Sequence, residues 1–196
     1  MDILRRITSW IPLLRVHLLS RSAICLAAIF LFCLPIRGGG QSSFEEYKVK
    51  AAFIYNFAKF VEWPESAFRG KREFCIASLG RSPLDRELAA LAGKTVNGRS
   101  IVFHQLSSPE EAVQCQVLFI SRSELDRTSG IVDSVKDLPV LTIADREDFC
   151  KKGGMLCIEK ENGKLVFDVN YRETLRARLK PSSQLLKLAR RIYGRP

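Results

Sequence analysis

Four short apolar segments decide the fold: EFCIASL at residues 73–79, SIVFHQL at 100–106, QVLFIS at 116–121 and PVLTIA at 139–144. Each has the length and the apolar character of a buried β-strand. Helical patterns separate the segments, at residues 84–91, 109–113 and 125–135. Such alternation is typical of parallel β-α-β units. We therefore expect an α/β fold in three layers, with a parallel sheet flanked by helices.

A β-hairpin is expected after the parallel strands. Residues 154–160 and 164–170 carry alternating apolar side chains and flank Asn162-Gly163. An Asn-Gly pair between two such runs is the strongest short-range hairpin signal, because both turn positions need a positive φ. The hairpin adds an antiparallel strand, so the sheet is predicted to have mixed edges.

Helices are expected at both ends of this domain. Residues 44–62 place apolar side chains, including an aromatic stripe, at helical spacing, and Trp63-Pro64 ends the pattern. We assign the stripe to packing. A helix at residues 171–179 is broken by Pro181. A final helix, capped by Ser182, is predicted to carry Leu185, Leu186, Leu188, Ala189 and Ile192.

The first forty residues have the pattern of a secretory leader. Four arginines precede an apolar run at residues 22–36, and Arg37 with three glycines follows it. The run is shorter than the ~20 residues that a membrane-spanning helix needs. A cleaved signal peptide over residues 1–40 is therefore favoured over an uncleaved anchor, and residues 41–196 are then expected to form a single exported domain.

The composition excludes several classes of protein. The chain has 196 residues, 46% hydrophobic and 27% charged, which rules out collagenous, low-complexity and polytopic membrane proteins. The net charge of +10 falls to +6 over residues 41–196, because the leader holds five arginines and one acid. This mild excess, without a basic arm or a zinc-finger spacing, does not indicate a nucleic-acid partner.

Four cysteines follow the leader: Cys75, Cys115, Cys150 and Cys157. An even number in an exported chain favours disulfides, with buried free thiols as the alternative. Zinc is disfavoured, because no CxxC is present and His104 is the one histidine after residue 40. Cys75 and Cys115 lie near the starts of two strands, and neighbouring strands, ~4.8 Å apart, are close enough for a disulfide.

Polar side chains lie where three of the parallel strands end: Ser78, Gly80, Arg81 and Ser82, then Arg122 and Ser123, then Asp145 and Arg146. Each group contains a residue that can cap a helix, followed three positions later by an aspartate that can return the hydrogen bond. The pairs are Ser82 and Asp85, Ser123 and Asp126, and Asp145 and Asp148. The carboxyl ends of parallel strands are where open α/β sheets bind ligands, and helix N-termini with three arginines could hold an anion. Three capped surface helices with solvated arginines are the alternative.

Nothing in the sequence indicates catalysis. It has no G-x-S-x-G, H-E-x-x-H or P-loop motif, and His104 lies at the end of a strand. The acidic residues fall mostly at helix starts and on polar faces, so paired-carboxylate chemistry has no support. We therefore expect a protein that is not an enzyme and that holds no cofactor or metal.

Residues 47–64, YKVKAAFIYNFAKFVEWP, resemble the opening signature of the YfiR-like family of exported bacterial proteins. Four later stretches are also similar to the family pattern: LTIAD at 141–145, GGML at 153–156, FDVN at 167–170 and LKPSSQLLKLA at 179–189. The likeness spans nearly the whole chain after the leader.

The resemblance implies a non-enzymatic periplasmic regulator, usually a dimer. It implies repression of an inner-membrane diguanylate cyclase through that enzyme's periplasmic sensor region, and so control of cyclic di-GMP and biofilm. A sensor kinase is another possible client. The resemblance also implies the disulfide pairs Cys75–Cys115 and Cys150–Cys157, with a redox role for the second pair.

A repressor of this kind must bind the inactive form of its receptor more tightly than the active form. Leu185, Leu186 and Ile192 on the final helix, beside basic side chains, are the candidate partner surface, and completion of the core is their alternative role. A function of another class is a periplasmic module that binds a small molecule, such as an anion, an amino acid or a nucleotide, at the arginine-lined strand ends.

Overall fold

The computed structural model describes residues 39–195, with side chains described from Phe44 onward except that of Leu125. The predicted signal peptide thus falls outside the described residues, apart from Gly39 and Gly40 at the start of the first helix. No helix within the described range has the length and apolar character needed to cross a membrane.

Ten strands are present in residues 39–195. Two of them, β1 (Val61–Glu62) and β9 (Lys180–Pro181), pair antiparallel with each other. The other eight form one sheet: β2 (Phe74–Leu79), β3 (Thr95–Val96), β4 (Arg99–Leu106), β5 (Val117–Ile120), β6 (Leu141–Ala144), β7 (Leu156–Glu161), β8 (Lys164–Asn170) and β10 (Arg191–Tyr193).

The order across the large sheet is β10-β8-β7-β6-β5-β2-β4-β3. The five central strands β7, β6, β5, β2 and β4 all run parallel. At the edges β3 and β8 run antiparallel to their inner neighbours, and β10 runs parallel to β8. The predicted parallel sheet with mixed edges is therefore confirmed. Both outermost strands are short, with two residues in β3 and three in β10.

The predicted hairpin is formed by β7 and β8. Glu161 pairs with Lys164 across the turn, and Asn162 and Gly163 have φ values of +50° and +77°. These are the two positive values that a two-residue hairpin turn requires. The sequence pattern therefore fixed the register of this antiparallel pair.

Helices cover both faces of the sheet. They are α1 (Gly39–Phe60), α2 (Leu84–Ala89), α3 (Thr128–Val135), α4 (Tyr171–Arg176) and α5 (Ser183–Leu188), with short 3₁₀ helices at Glu65–Ala67, Pro109–Gln114, Arg122–Arg127 and Cys150–Lys152. Side chains alternate along the strands between two apolar clusters. Ile76 joins the cluster under α1, α2 and α5, and its neighbour Ala77 joins the cluster under α3. The three-layer arrangement follows from this alternation.

The prediction for the last helix is wrong beyond Leu188. The chain becomes extended at Ala189, Arg190 N donates to Phe167 O at 2.9 Å, and Ile192 lies in β10 opposite Val169. Apolar side chains at helical spacing continue to Ile192, so the pattern does not mark the end of the helix, and the residues after Leu188 instead form backbone hydrogen bonds with the edge of β8. A three-residue edge strand of this kind leaves no periodic signal in the sequence.

Candidate functional site

Three of the predicted loops meet at one edge of the sheet. β2, β5 and β6 are parallel neighbours, so Leu79, Ile120 and Ala144 end at the same side. In the sheet, β4 lies on one side of β2, and β5, the next strand along the chain, lies on the other side. The direction of strand order therefore changes at β2, and open α/β sheets bind ligands at such topological switch points. The structure brings to this edge, which we call the carboxyl edge, all of the predicted residues: Ser78, Gly80, Arg81, Ser82, Arg122, Ser123, Asp145 and Arg146.

The β2 and β5 loops pack directly against each other. Arg81 N donates to Ser123 Oγ at 3.2 Å, and the hydroxyls of Ser121 and Ser123 are 2.8 Å apart. Gly80 has a φ of +76°, and a Cβ at this position would lie 2.2 Å from Ser121 Oγ. Glycine is required here both by the backbone conformation and by the close approach. The two loops therefore leave no room for a ligand between them.

Ser82 and Asp85 make the predicted capping contacts at the start of α2. Ser82 N donates to Asp85 Oδ2 at 2.8 Å, and Leu84 N donates to Ser82 Oγ at 3.2 Å. The buried hydroxyl of Ser78 donates to Asp85 Oδ1 at 2.6 Å. These groups satisfy one another and hold the β2 loop in place.

Longer-range contacts replace the other two predicted capping pairs within the described residues. Ser123 Oγ accepts its hydrogen bond from Arg81 N in the neighbouring loop. The carboxylate of Asp145 binds Lys50 and Arg122. The three-residue spacing of a helix cap was present in the sequence at both positions. In the structure, however, Ser123 and Asp145 bond to residues of other loops and helices instead of capping a helix.

The three arginines of the carboxyl edge do not converge on one point. The side chain of Arg122 is 73% exposed, and its Nε lies 3.4 Å from Asp145 Oδ2. Arg146 donates Nη2 to Asp148 Oδ2 at 2.9 Å. Arg81 lines a separate open cavity. Because neighbouring acids already bind two of the guanidinium groups, the edge does not form a clamp of three arginines around an anion.

A buried ion pair lies beneath the carboxyl edge. Lys50 of α1 is only 4% exposed, and its Nζ donates to Asp145 Oδ2 at 3.0 Å and contacts Glu46 Oε1 at 2.8 Å. Lys160 Nζ donates to Glu46 Oε2 at 2.8 Å. The hydrogen bonds from Lys160 and Lys50 lower the pKa of Glu46 to about 2. Burial alone would lower the pKa of Lys50, but its bonds to Glu46 and Asp145 outweigh burial and raise it.

Sequence patterns missed this ion pair, although one signal was present. Lys50 lies on the same face of α1 as Ile54 and Phe57, which are four and seven residues further on and belong to the core. A lysine on the buried stripe of an amphipathic helix needs a paired acid, because an unpaired buried charge is costly. The position of that acid, 95 residues away, follows only from the tertiary fold.

Asp145 is not fully satisfied by its two cationic partners. Its Oδ1 is buried and has no hydrogen-bond donor among the described residues. Asp145 also lines a cavity of about 240 Å³ together with Lys50, Glu147 and Glu159. Buried polar atoms without a partner are uncommon in folded proteins. This cavity is therefore the most distinctive part of the carboxyl edge.

A second ionic cluster joins β10 to the hairpin. Arg190 donates Nε and Nη2 to the completely buried Asp168, each at 2.8 Å, and Nη1 to Glu161 at 3.1 Å. Arg190 Nη2 also donates to Glu159. These bonds, with that to Asp168 the most important, raise the pKa of Arg190. The cluster fixes the last strand against the sheet.

The first of the two expected disulfides is present. Cys75 and Cys115 are bonded, with their Cα atoms 4.5 Å apart, at the amino ends of β2 and β5. The bond closes a loop with a sequence separation of 40 residues. In the entropic account, closing a loop of this length stabilises the fold by roughly 4 kcal/mol.

The second expected disulfide, between Cys150 and Cys157, is not formed in this structure, where both residues are buried free thiols. The two thiols are hydrogen-bonded neighbours, and each also approaches a backbone carbonyl: Cys150 Sγ lies 3.5 Å from Asp168 O, and Cys157 Sγ lies 3.9 Å from Glu147 O. Burial, and then a hydrogen bond with Cys157, raise the pKa of the Cys150 thiol. Both side chains thus belong to the interior beside α3.

One group of metal-compatible side chains occurs within residues 44–195. Cys157, Glu159 and Asp168 offer ligand atoms within 4.8 Å of one another. Arg190 already bonds the carboxylates of Glu159 and Asp168. The positively charged guanidinium of Arg190 repels a metal cation and occupies the same carboxylate oxygens. The group is therefore better described as an ion-pair network than as a metal site.

The predicted partner surface is divided by the structure. Leu185 is 2% exposed and belongs to the core, and Leu186 packs against that core. Ile192 lies in β10, half-buried. Leu188, which follows on α5, is 63% exposed. Leu185 therefore completes the core, which was the alternative interpretation, and Leu188 is the apolar side chain that this segment presents to solvent.

Comparison with known proteins identifies relatives at the level of family and fold. The sequence profile of the YfiR/HmsC-like family matches residues 47–190. A conserved domain protein from Vibrio cholerae has a similar solved structure, with a TM-score of 0.52, 9% identity, and coverage of 74% of this chain and 60% of that one. An ABC domain from Streptococcus pneumonia, solved with L-Trp, gives a TM-score of 0.45 at 9% identity, covering 61% of this chain and 55% of that one. This chain thus matches less than two thirds of either protein, and the first likeness supports the α/β fold.

Proposed function

The chain belongs to the YfiR/HmsC-like family, and on this basis we propose that it represses an inner-membrane diguanylate cyclase by binding the periplasmic sensor region of that enzyme. At the level of the family, its members are non-catalytic periplasmic regulators of cyclic di-GMP signalling that act with a membrane-bound partner. The observation that carries the proposal is the family match over residues 47–190, which covers the large sheet from β2 to β8, including the hairpin.

The disulfide supports an exported location. The buried Cys75–Cys115 bond links β2 to the residues just before β5, and such bonds persist in oxidising compartments such as the bacterial periplasm. We propose that residues 1–40 act as the cleaved signal peptide that delivers the chain there.

A repressor also needs a surface that recognises one state of its receptor. Leu188 on α5 is an exposed apolar side chain beside Lys187, and Arg191 is exposed at the adjacent sheet edge. Apolar contacts rimmed by charge are typical of protein interfaces. We propose that this segment contacts the receptor, and that the protein acts as a homodimer.

The test is intracellular cyclic di-GMP in a strain that lacks the gene. We expect the level to rise in the deletion strain and to return when the full chain is expressed. Expression of residues 41–196 alone, which keeps the protein in the cytosol, should not restore repression. No rise in the deletion strain, under conditions in which the protein is made, would contradict the cyclase-repressor function.

The interface has its own test. Leu188→Glu should abolish repression. Its thermal unfolding midpoint should stay within about 1 °C of that of the unchanged protein, because an exposed position contributes little to stability. Val49→Glu, at an exposed apolar position on α1, is the matched control and should repress normally. A sensor kinase as the client would show instead as unchanged cyclic di-GMP together with co-purification of that kinase.

A further inference from the structure

We propose that the C-terminal segment, residues 171–195, docks the protein on a bilayer that contains anionic phospholipid. The inference rests on where the positive charge of the domain lies and does not depend on the proposed repressor function. It adds a lipid contact to the receptor contact proposed for Leu188.

The positive charge of the domain is concentrated in this segment. Residues 171–195 hold eight arginines and lysines against one acid, Glu173, whereas residues 41–170 hold 18 basic and 19 acidic side chains. The body of the domain is therefore nearly neutral, and the short segment supplies the whole basic excess. Charge asymmetry of this kind along a chain indicates an anionic partner such as a membrane surface.

Six of the eight cations have no acidic partner within residues 44–195. Of the other two, Arg190 is bound to Asp168. Arg176 is bound to Asp137 and Glu173. The six are exposed to solvent: Arg172, Arg178, Lys180, Lys187, Arg191 and Arg195. A guanidinium or ammonium group in this state can bind the phosphate of a lipid headgroup.

The elements that carry these cations are in contact with one another. α4 packs against both β9 and β10, and β10 is the outermost strand at its end of the sheet. A Cβ at Gly194 would lie 2.6 Å from Arg172 Cβ, so Arg195 follows directly beside Arg172. Glu62 lies opposite Lys180 in the two-stranded sheet and offsets one of the charges. The segment therefore forms a continuous basic surface at this end of the molecule.

Two exposed leucines belong to the same segment. Leu175 on α4 is 44% exposed, and Leu188 on α5 is 63% exposed. Apolar side chains that enter the headgroup region of a bilayer add to the attraction between cations and anionic lipid. Cations spread over four elements also match the many phosphates of a bilayer better than a single acidic peptide. We therefore favour lipid over an acidic protein as the occupant of this surface.

The test is co-sedimentation with vesicles of phosphatidylcholine, either alone or mixed with an equal amount of phosphatidylglycerol. The protein is purified from the periplasm, so that the basic leader does not contribute. We expect binding to the mixed vesicles alone, at ~0.1 M salt, where charges act over ~10 Å, and its loss at ~1 M salt, where they act over ~3 Å. Equal binding to both kinds of vesicle, or binding to neither, overturns the proposal. Binding to poly-glutamate without binding to the mixed vesicles would assign the surface to an acidic protein and also overturns it.

A double variant locates the contact. Lys180→Gln with Arg195→Gln removes two exposed cations whose side chains form no hydrogen bond within residues 44–195. Each cation near an anionic surface is worth about fivefold in affinity, so we expect binding to the mixed vesicles to weaken about 25-fold. The control is Arg72→Gln with Arg81→Gln, which has the same net charge. These exposed residues flank β2, and four strands lie between β2 and β10. The control should bind as the unchanged protein does, and equal losses in the two double variants overturn the proposal.

Discussion

Arg190 and Asp168 form a bidentate ion pair, in which two guanidinium nitrogens donate to the two carboxylate oxygens at 2.8 Å each. Asp168 lies in β8 with no exposure to solvent, and Arg190 precedes β10. A buried carboxylate is tolerated only when it is paired in this way. The C-terminal strand thus depends on one side chain for its attachment to the hairpin.

Replacing Arg190 should therefore destabilise the whole fold. We expect Arg190→Ala to lower the free energy of unfolding by about 3–5 kcal/mol, because it leaves Asp168 buried and unpaired. Urea denaturation followed by circular dichroism measures the change. Lys136→Ala, which removes a surface pair with Asp133, should cost less than about 1 kcal/mol. Similar losses for the two variants would show that the buried pair is not what holds β10.

Gly80 should tolerate substitution much less well than Gly70. Both have a φ near +80°, but a Cβ at Gly80 would lie 2.2 Å from Ser121 Oγ, whereas nothing lies within 4 Å of a Cβ at Gly70. Gly70→Ala carries the strain of a positive φ alone, about 1–2 kcal/mol. Gly80→Ala adds a clash with a packed loop, and we expect its thermal midpoint to fall further. Equal midpoints would mean that the β2 and β5 loops separate easily.

The free thiols should be protected from alkylation in the folded protein. Burial raises the pKa of Cys150, and only the thiolate reacts rapidly. With iodoacetamide at pH 8, we expect Cys150 and Cys157 to be modified only after guanidinium is added, and Cys75 and Cys115 to be modified only after reduction. Peptide mass spectrometry assigns each site. A linked Cys150–Cys157 peptide in the unreduced protein would contradict this assignment of thiols.

The free energy of unfolding should decrease at acid pH, in part because Glu46 becomes protonated and loses its ion pairs with Lys50 and Lys160. Its pKa is about 2 in the folded protein against the usual 4.5, so its contribution is complete above about pH 4.5. That contribution is lost as the pH falls through the folded value near 2. We expect Glu46→Gln to show a smaller fall in thermal midpoint between pH 5 and pH 2.5 than the unchanged protein. Glu45→Gln, at the preceding exposed position, should retain the full fall.

The strands and the hairpin were predictable because their signals are local. The segment at residues 116–121, for example, is apolar throughout, and the structure places Val117 and Phe119 in one core and Leu118 and Ile120 in the other. A strand buried on both faces needs an unbroken apolar run. The turn at Asn162 was equally readable, since few residue pairs accept two positive φ values.

The candidate site was predictable only in its location. The order of the strands brings the loops of β2, β5 and β6 to one edge, but which charges meet there depends on side chains from distant elements. Asp145 binds Lys50 of α1, so its carboxylate serves a tertiary ion pair and not a helix cap. A spacing of three residues was compatible with both roles. The missed β10 has the same cause, because its partner is the exposed edge of β8 and not a neighbour in sequence.

The short outer strands limit edge-to-edge association of the sheet with strands of other chains. β3 offers two residues and β10 offers three, and β10 begins with an exposed arginine. A long flat edge would recruit extended segments from other chains and seed fibres, whereas a brief, charged edge gives an incoming strand too few hydrogen bonds to stay attached. Trimming the C-terminus before residue 190 would remove the strand that pairs with Asp168, Val169 and Asn170 and would leave all seven residues of β8 as one edge, so truncated chains should precipitate where the intact protein remains in solution.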